Sequence, residues 1–249
     1  MTTTTAQTSA PVHTGMSLSL DDIRISYGGE PVIDGLNLTI APGEILVLVG
    51  KSGCGKSTLL RAIAGLRPTQ AGRIGADGAT VTGPSADRAL VFQDDALLPW
   101  RTARQNIELA LQLRGVARSV RRQTARHWVE EIGLTEYADY LPRDLSGGMR
   151  QRVQLARSLA GSPRAVLMDE PFGALDTQTR ATMQRLLIDT WRAHPTTIVF
   201  VTHDLDEALL LGDRIAVLGG GALRALVDVP EPRTPLDRRS VKAELLEKL

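Results

Sequence analysis

The octet Gly50-Lys51-Ser52-Gly53-Cys54-Gly55-Lys56-Ser57 constrains this chain more than any other stretch. It fits the spacing G-x-x-x-x-G-K-[ST] and stands between an apolar run and a helical pattern. Residues 45–49 (Ile-Leu-Val-Leu-Val) read as a fully buried strand, and residues 57–64 as a helix ended by Gly65. Glycines let the backbone curl until successive N–H groups converge on phosphate oxygens, and the helix N-terminus adds a partial positive charge. In that setting Lys56 reaches the β- and γ-phosphates of a nucleotide and the Ser57 hydroxyl ligates Mg²⁺. Nucleotide binding is therefore expected, against the alternative of a chance glycine-rich turn before a helix.

The chain has 249 residues, 43% of them hydrophobic, enough for one large α/β domain or a core with a subdomain. A net charge of +1 makes no case for nucleic acid as a partner. Cys54 is the single cysteine, so no internal disulfide can form and a reducing compartment fits best. Within the glycine loop it is a small spacer; a reactive thiol would need a base or a second cysteine, and none accompanies it. Residues 1–15 are rich in Thr, Ser and Ala, lack the charged and apolar regions of a signal peptide, and are expected to form a disordered tail, with Met16 as a second possible start. No apolar run approaches bilayer length; residues 45–49 and 208–211 are among the longest, so a membrane role needs a partner.

Ahead of the glycine loop, Leu18 and Leu20, then Ile23 and Ile25, alternate with polar residues; Gly28-Gly29 turns the chain and residues 32–40 alternate again. That is the pattern of an antiparallel hairpin. Tyr27 stands at its turn and has two readings, a half-buried strand-end aromatic or a platform for a purine ring. A turn-dense stretch follows Gly65 as far as Asp87, then residues 89–92 form a buried strand with Gln93 at its exit. Residues 102–114, 119–132 and 135–140 are helical by pattern, the second with a Ser119 cap, so about residues 97–145 form a helical insert. Its basic run, Arg118, Arg121, Arg122 and Arg126, reads as a solvated helix face, since only Trp128 is near to stack a base.

Leu145-Ser146-Gly147-Gly148-Met149 precedes a helix with apolar residues at 149, 153, 156 and 160, so Ser146, Gly147 and Gly148 stand at a second anion-binding helix N-terminus. Residues 165–168 are another buried strand, ending in Asp169-Glu170. A carboxylate at that place holds magnesium in P-loop proteins, and the residue after it is positioned as a base for water. Residues 196–201 form a further strand with His203 at its C-terminal edge.

These residues resemble the ATP-binding subunits of ABC transporters, with every hallmark motif in order from about residue 18 to 223. The resemblance matches Gly50 to Thr58 to the Walker A loop, Gln93 to the Q-loop glutamine and residues 145–149 to the signature motif of this ATPase class. Asp169 is similar to the Walker B aspartate, Glu170 to the catalytic carboxylate, Asp176 to the D-loop aspartate, His203 to the switch histidine and Tyr27 to the adenine-stacking aromatic. Gly173 stands where the D-loop commonly has Ser. The resemblance implies an α/β fold: a P-loop NTPase core, an antiparallel β-subdomain and an inserted α-helical subdomain at about 97–149, within a domain spanning 16–249 with a short tail at about 226–249. It also implies ATP as substrate, Mg²⁺ held by Ser57, Gln93 and Asp169, and a head-to-tail homodimer in which Ser146 of one chain serves the ATP held by Lys56 of the other.

Residues 95–102 (Asp-Ala-Leu-Leu-Pro-Trp-Arg-Thr) look like the subfamily that energises import of nitrate, taurine and aliphatic sulfonates. That resemblance implies a peripheral subunit on the cytoplasmic face of the cell membrane, bound to permease subunits that work with a substrate-binding protein. Leu98, Pro99 and Trp100 would lie where the permease docks. An exporter ATPase, or a soluble ABC ATPase outside transport, is the competing class; the latter usually carries a coiled-coil insertion or two cassettes, and neither is seen here.

Overall fold

The computed structural model describes residues 15–94, 96–230, 232–233 and 239–248. Residues 1–14, which hold most of the expected tail, Asp95 of the 95–102 stretch and part of the C-terminal region lie outside them. Met16 is described: it is buried, its N–H donates to the Arg164 carbonyl at 3.0 Å, and its carbonyl accepts from Thr197 Oγ1 at 2.7 Å.

The expected hairpin forms from β1 (Leu18–Tyr27) and β2 (Glu30–Ile40), joined by Gly28 and Gly29, both at positive φ. The doublet Asp21-Asp22, which breaks the apolar alternation, forms a bulge: the register shifts between Leu20 and Ile23, and Asp22 takes φ 52°. Two strands appear in the stretch read as turns, β4 (Ala71–Ala76) and β5 (Ala79–Thr80), completing a four-stranded sheet ordered β2-β1-β4-β5.

The second sheet is built around β3 (Ile45–Gly50), which leads into the glycine loop and α1 (Lys56–Ile63). It also holds β6 (Arg88–Val91), β7 (Ala165–Asp169), β8 (Thr197–Val201), β9 (Arg214–Gly219) and β10 (Ala222–Asp228), in the order β10-β9-β3-β8-β7-β6. All neighbours are parallel except β10, which pairs antiparallel to β9. Every residue of β3 is buried, and its two faces serve different layers. Ile45, Val47 and Val49 pack with the helices, while Leu46 and Leu48 pack with α1 and the antiparallel sheet. A parallel strand covered on both sides reads as a continuous apolar run, as residues 45–49 do.

Between β6 and β7 lie α2 (Ala103–Leu113), α3 (Arg118–Glu131) and α4 (Gly147–Ala160). Thr102 closes a full capping box with Gln105 at the start of α2. The expected Ser119 cap is corrected. The first carbonyl acceptor is that of Ala117, bonded from Arg121 N at 2.9 Å, so Ser119 falls inside the first turn and the helix starts with no side-chain cap. Residues 135–140 likewise hold only a 3₁₀ turn, Thr135–Tyr137. The carbonyls of Ala138 and Tyr140 instead accept from Arg104 N and Ala103 N, terminating α2 rather than extending a helix of their own. Then come α5 (Thr177–Ala193), α6 (Leu205–Leu211) and α7 (Arg239–Lys248). In the C-terminal region β10 occupies residues 222–228, and Lys242 on α7 pairs with Asp206 on α6 at 2.6 Å.

Candidate functional site

The C-terminal ends of β3, β7 and β8 converge because the three strands are parallel neighbours, and this is where an open α/β sheet offers its ligand crevice. The loop after β3 follows the sequence reading. Gly55 sits at φ 101° before α1, where a Cβ would fall 2.6 Å from Ile33 Cδ1 and 3.1 Å from the Val32 carbonyl oxygen. Only glycine lets the loop pass there. The start of α1 has neither a side-chain cap nor an acidic residue in its first turn, leaving its field and N–H groups for an anion.

Lys56 is 6% exposed, with Nζ donating to the Gly50 carbonyl at 2.7 Å and the Lys51 carbonyl at 3.2 Å, and 3.9 Å from Cys54 Sγ. The ammonium is thus folded over its own loop. Lys51, Ser52 and Gly53 form the exposed crest of that loop, Cys54 is half-buried with a free thiol, and Thr58 is half-buried on α1. The Ser57 hydroxyl donates to Asp169 Oδ1 at 2.8 Å, bringing a hydroxyl and a carboxylate from distant parts of the chain side by side. These are hard oxygen donors, few in number, a set that suits Mg²⁺, which keeps most of its coordination for water and phosphate.

Glu170, one residue past the end of β7, adopts φ 45°, a left-handed backbone unusual for its type. Its N–H donates to the Val201 carbonyl at 3.0 Å, tying it to β8, and its Oε2 lies 3.0 Å from His203 Nδ1. Strand-end carboxylate and strand-end imidazole are therefore one pair. Gln93 stands on the exposed bend after β6 and is not drawn into the Ser57–Asp169 contact. Tyr27 is 49% exposed at the end of β1, and the Arg67 guanidinium carbon lies 3.6 Å from its ring centroid.

Ser146 caps α4, accepting from Met149 N at 3.3 Å. Gly148 packs so closely on α5 that a Cβ would fall 2.7 Å from Thr179 Cγ2. Asp176 caps α5 through bonds from Gln178 N and Thr179 N. The Thr179 hydroxyl, then the Thr179 and Gln178 N–H groups, hold the Asp176 carboxyl below the usual carboxylate range. Ser146, Gly147, Gly148 and Asp176 share the wall of one open cavity of about 480 Å³. Among the described residues, no hydrogen bond links this group to the Lys56, Asp169 and Glu170 group.

One supporting residue had escaped the sequence reading. Gln154, 2% exposed on α4, donates from Nε2 to the carbonyls of Phe92 and Asp94 at 3.0 and 2.9 Å, so it grips the backbone on both sides of Gln93. Its signal was a glutamine among the inward-facing apolar residues of α4.

A glycine loop on a central parallel strand, with acidic residues ending the neighbouring strand, is the arrangement of P-loop nucleotide hydrolases. The family model described as ABC transporter matches residues 33–173, and the chain belongs to that family. It is accordingly an ABC-type ATPase. The nitrate import ATP-binding protein NrtD of Synechocystis sp. is 46% identical over 207 residues, 82% of this chain and 78% of that protein. The taurine import ATP-binding protein TauB of Escherichia coli O157:H7 is 42% identical over 213 residues, 86% and 84% of the two chains. Among solved structures, a dimeric post-hydrolysis ATP-binding cassette bound to ADP and Pi superposes with a TM-score of 0.75 at 31% identity, covering 86% of this chain and 99% of that one. Among the described residues, no helix is long and apolar enough to cross a membrane.

Proposed function

We propose that this chain is the ATP-hydrolysing subunit of an importer for a small anion, an aliphatic sulfonate such as taurine or else nitrate, working at the cytoplasmic face of the membrane with permease subunits and a binding protein. The contact that carries the hydrolytic reading is Glu170 Oε2 on His203 Nδ1, beside Ser57 on Asp169. The names of the nitrate and taurine import relatives support the transported class, as does the 95–102 stretch.

Lys56 Nζ would exchange the Gly50 and Lys51 carbonyls for β- and γ-phosphate oxygens, gaining a charge-assisted contact. Ser57, Asp169 and Gln93 are the residues that would hold Mg²⁺, which would supply positive charge against the negative charge that develops on the phosphates. Glu170 Oε2 would orient the attacking water and receive its proton, while the His203 bond fixes that oxygen. With Nδ1 engaged by Glu170, the Nε2 of His203 is the ring nitrogen that remains for the γ-phosphate. Catalysis is then positioning and electrostatics. The separation of the Ser146 group from the Lys56 group supports a homodimer in which each ATP lies between one chain's Lys56 and the other's Ser146, with Gly147, Gly148 and Asp176 beside it.

Uptake of labelled taurine and of nitrate by cells lacking this chain tests the reading. Wild-type chain should restore uptake of one of the two and Glu170→Gln should not; uptake of both unaffected by loss of the chain would overturn it.

A further inference from the structure

The Tyr27 ring is already engaged on one side. Arg67 lies just past the end of α1, and its guanidinium carbon sits 3.6 Å from the ring centroid, within cation–π range. Two further features hold it there. Arg67 Nη2 donates to the Ser26 carbonyl at 2.7 Å, bonding the guanidinium to the residue next to the ring it covers. Gln70 then accepts from Ser26 N at 2.9 Å, and Gln70 N donates to the Arg24 carbonyl at 2.9 Å, so residues 67–70 are stitched along the end of β1. Among the described residues no carboxylate pairs with Arg67, and its Nε is buried without a hydrogen-bond partner. The guanidinium is therefore held by the Tyr27 ring and the Ser26 carbonyl. Tyr27 is nonetheless 49% exposed, so the ring is held from one side and open elsewhere.

We propose that Arg67 is a nucleotide-positioning residue, a cationic back-plate that fixes the Tyr27 ring so that its free face receives the adenine of ATP. The inference rests on the reading of Tyr27 as the purine platform. With one face taken, the ring stacks a base only on the other, which removes the alternative orientation and the entropy of a loose strand-end side chain. Arg67 also follows α1, the helix that Lys56 opens, so the same short segment joins the phosphate-binding and base-binding ends of the site.

The test compares wild type, Arg67→Ala, Arg67→Lys, Tyr27→Ala and the Tyr27→Ala/Arg67→Ala double variant, with ATP and inorganic tripolyphosphate as titrants. Thermal melts confirm the fold, and Arg67→Lys stands in if Arg67→Ala is unstable. Arg67→Ala should weaken ATP binding by about threefold to thirtyfold, the range of a cation–π contact. The kcat at saturating ATP should hold, tripolyphosphate affinity should be unchanged, and Arg67→Lys should recover part of the loss. In the Tyr27→Ala background, Arg67→Ala should add nothing. An equal further loss there, or a matching loss for tripolyphosphate, would mean that Arg67 acts on the phosphates and overturns the proposal. If Tyr27→Ala weakens ATP binding and both Arg67 variants do not, only this inference fails; if Tyr27→Ala binds ATP as wild type does, the platform reading fails with it.

Discussion

His203 Nδ1 and Glu170 Oε2 lie 3.0 Å apart, although the two residues come from different strand ends and only 27% of the Glu170 side chain is exposed. Glu170 bends into φ 45° directly after β7, and His203 follows β8, the parallel neighbour of β7. Non-glycine residues hold such backbone angles where the surroundings impose them, commonly at reacting groups. His203→Ala should therefore lower kcat by about 10²- to 10³-fold, the loss expected when one preorganised donor is removed. ATP affinity should barely change. Turnover within a few-fold of wild type would mean that the pair is structural.

Lys56→Ala should abolish both ATP binding and hydrolysis, because the glycine loop keeps its N–H groups and loses its only side-chain cation reaching inward. Mixed with Ser146→Arg subunits, it should partly recover. One composite site of the mixed dimer then carries both defects and the other none. No recovery in a verified mixed dimer would show that each chain acts alone.

Asp176 offers a prediction in pH. Its carboxyl is held below the usual range, first by the Thr179 hydroxyl and then by backbone N–H groups, so it stabilises the fold while ionised. A depressed folded pKa gives stability that is present above the unfolded value of roughly 3.9 and is lost as pH falls through the folded value. Asn keeps the capping oxygen without the charge. Asp176→Asn should thus melt below wild type at pH 6, with the gap closing as the pH is brought under about 4. A gap that stays constant across that window would remove the carboxylate from the account.

Trp100 is 71% exposed on a loop that is firmly built: Asn106, fully buried, accepts from Leu98 N at 2.8 Å and donates to the carbonyls of Leu98, Arg101 and Thr102. A rigid loop presenting an apolar ring fits a docking anchor. Trp100→Ala should weaken association with the permease subunits by about 2 kcal/mol or more and leave ATP binding by the isolated chain unchanged. Nucleotide binding lost together with the melt would instead give Trp100 a part in folding.

The glycine loop, the acidic strand end and the signature motif were legible because each is a short run whose chemistry depends on its own spacing. What escaped depends on distant chain. The segment Ala71–Ala76 has two glycines and one large apolar residue, so nothing in it alternates. It is a strand because β1 recruits it, pairing Leu20 with Ile74, and Gly72 must be glycine because a Cβ would fall 2.2 Å from the Asp22 carbonyl oxygen at the bulge. Ser119 is a good cap by type, yet the first helical carbonyl belongs to Ala117, two residues earlier at an exposed position, and Ser119 falls inside the helix. Gln154 acts on the bend after β6, 62 residues away in sequence, and Arg67 on the end of β1, 41 residues away, relations no local pattern encodes.

Glu170→Gln separates hydrolysis from nucleotide binding. Gln keeps the size and one hydrogen-bonding oxygen but not the charge that orients water, while Lys56, Ser57 and Asp169 remain to hold ATP. ATP should bind and persist. Each nucleotide would then contact both chains and draw them together by its preference for the closed pair. In size-exclusion chromatography Glu170→Gln should elute as a dimer with Mg-ATP and as a monomer without it, with turnover reduced by about 10²- to 10⁴-fold. A variant that stays monomeric at saturating ATP, or that turns over ATP like wild type, would contradict both the catalytic carboxylate and the shared nucleotide site.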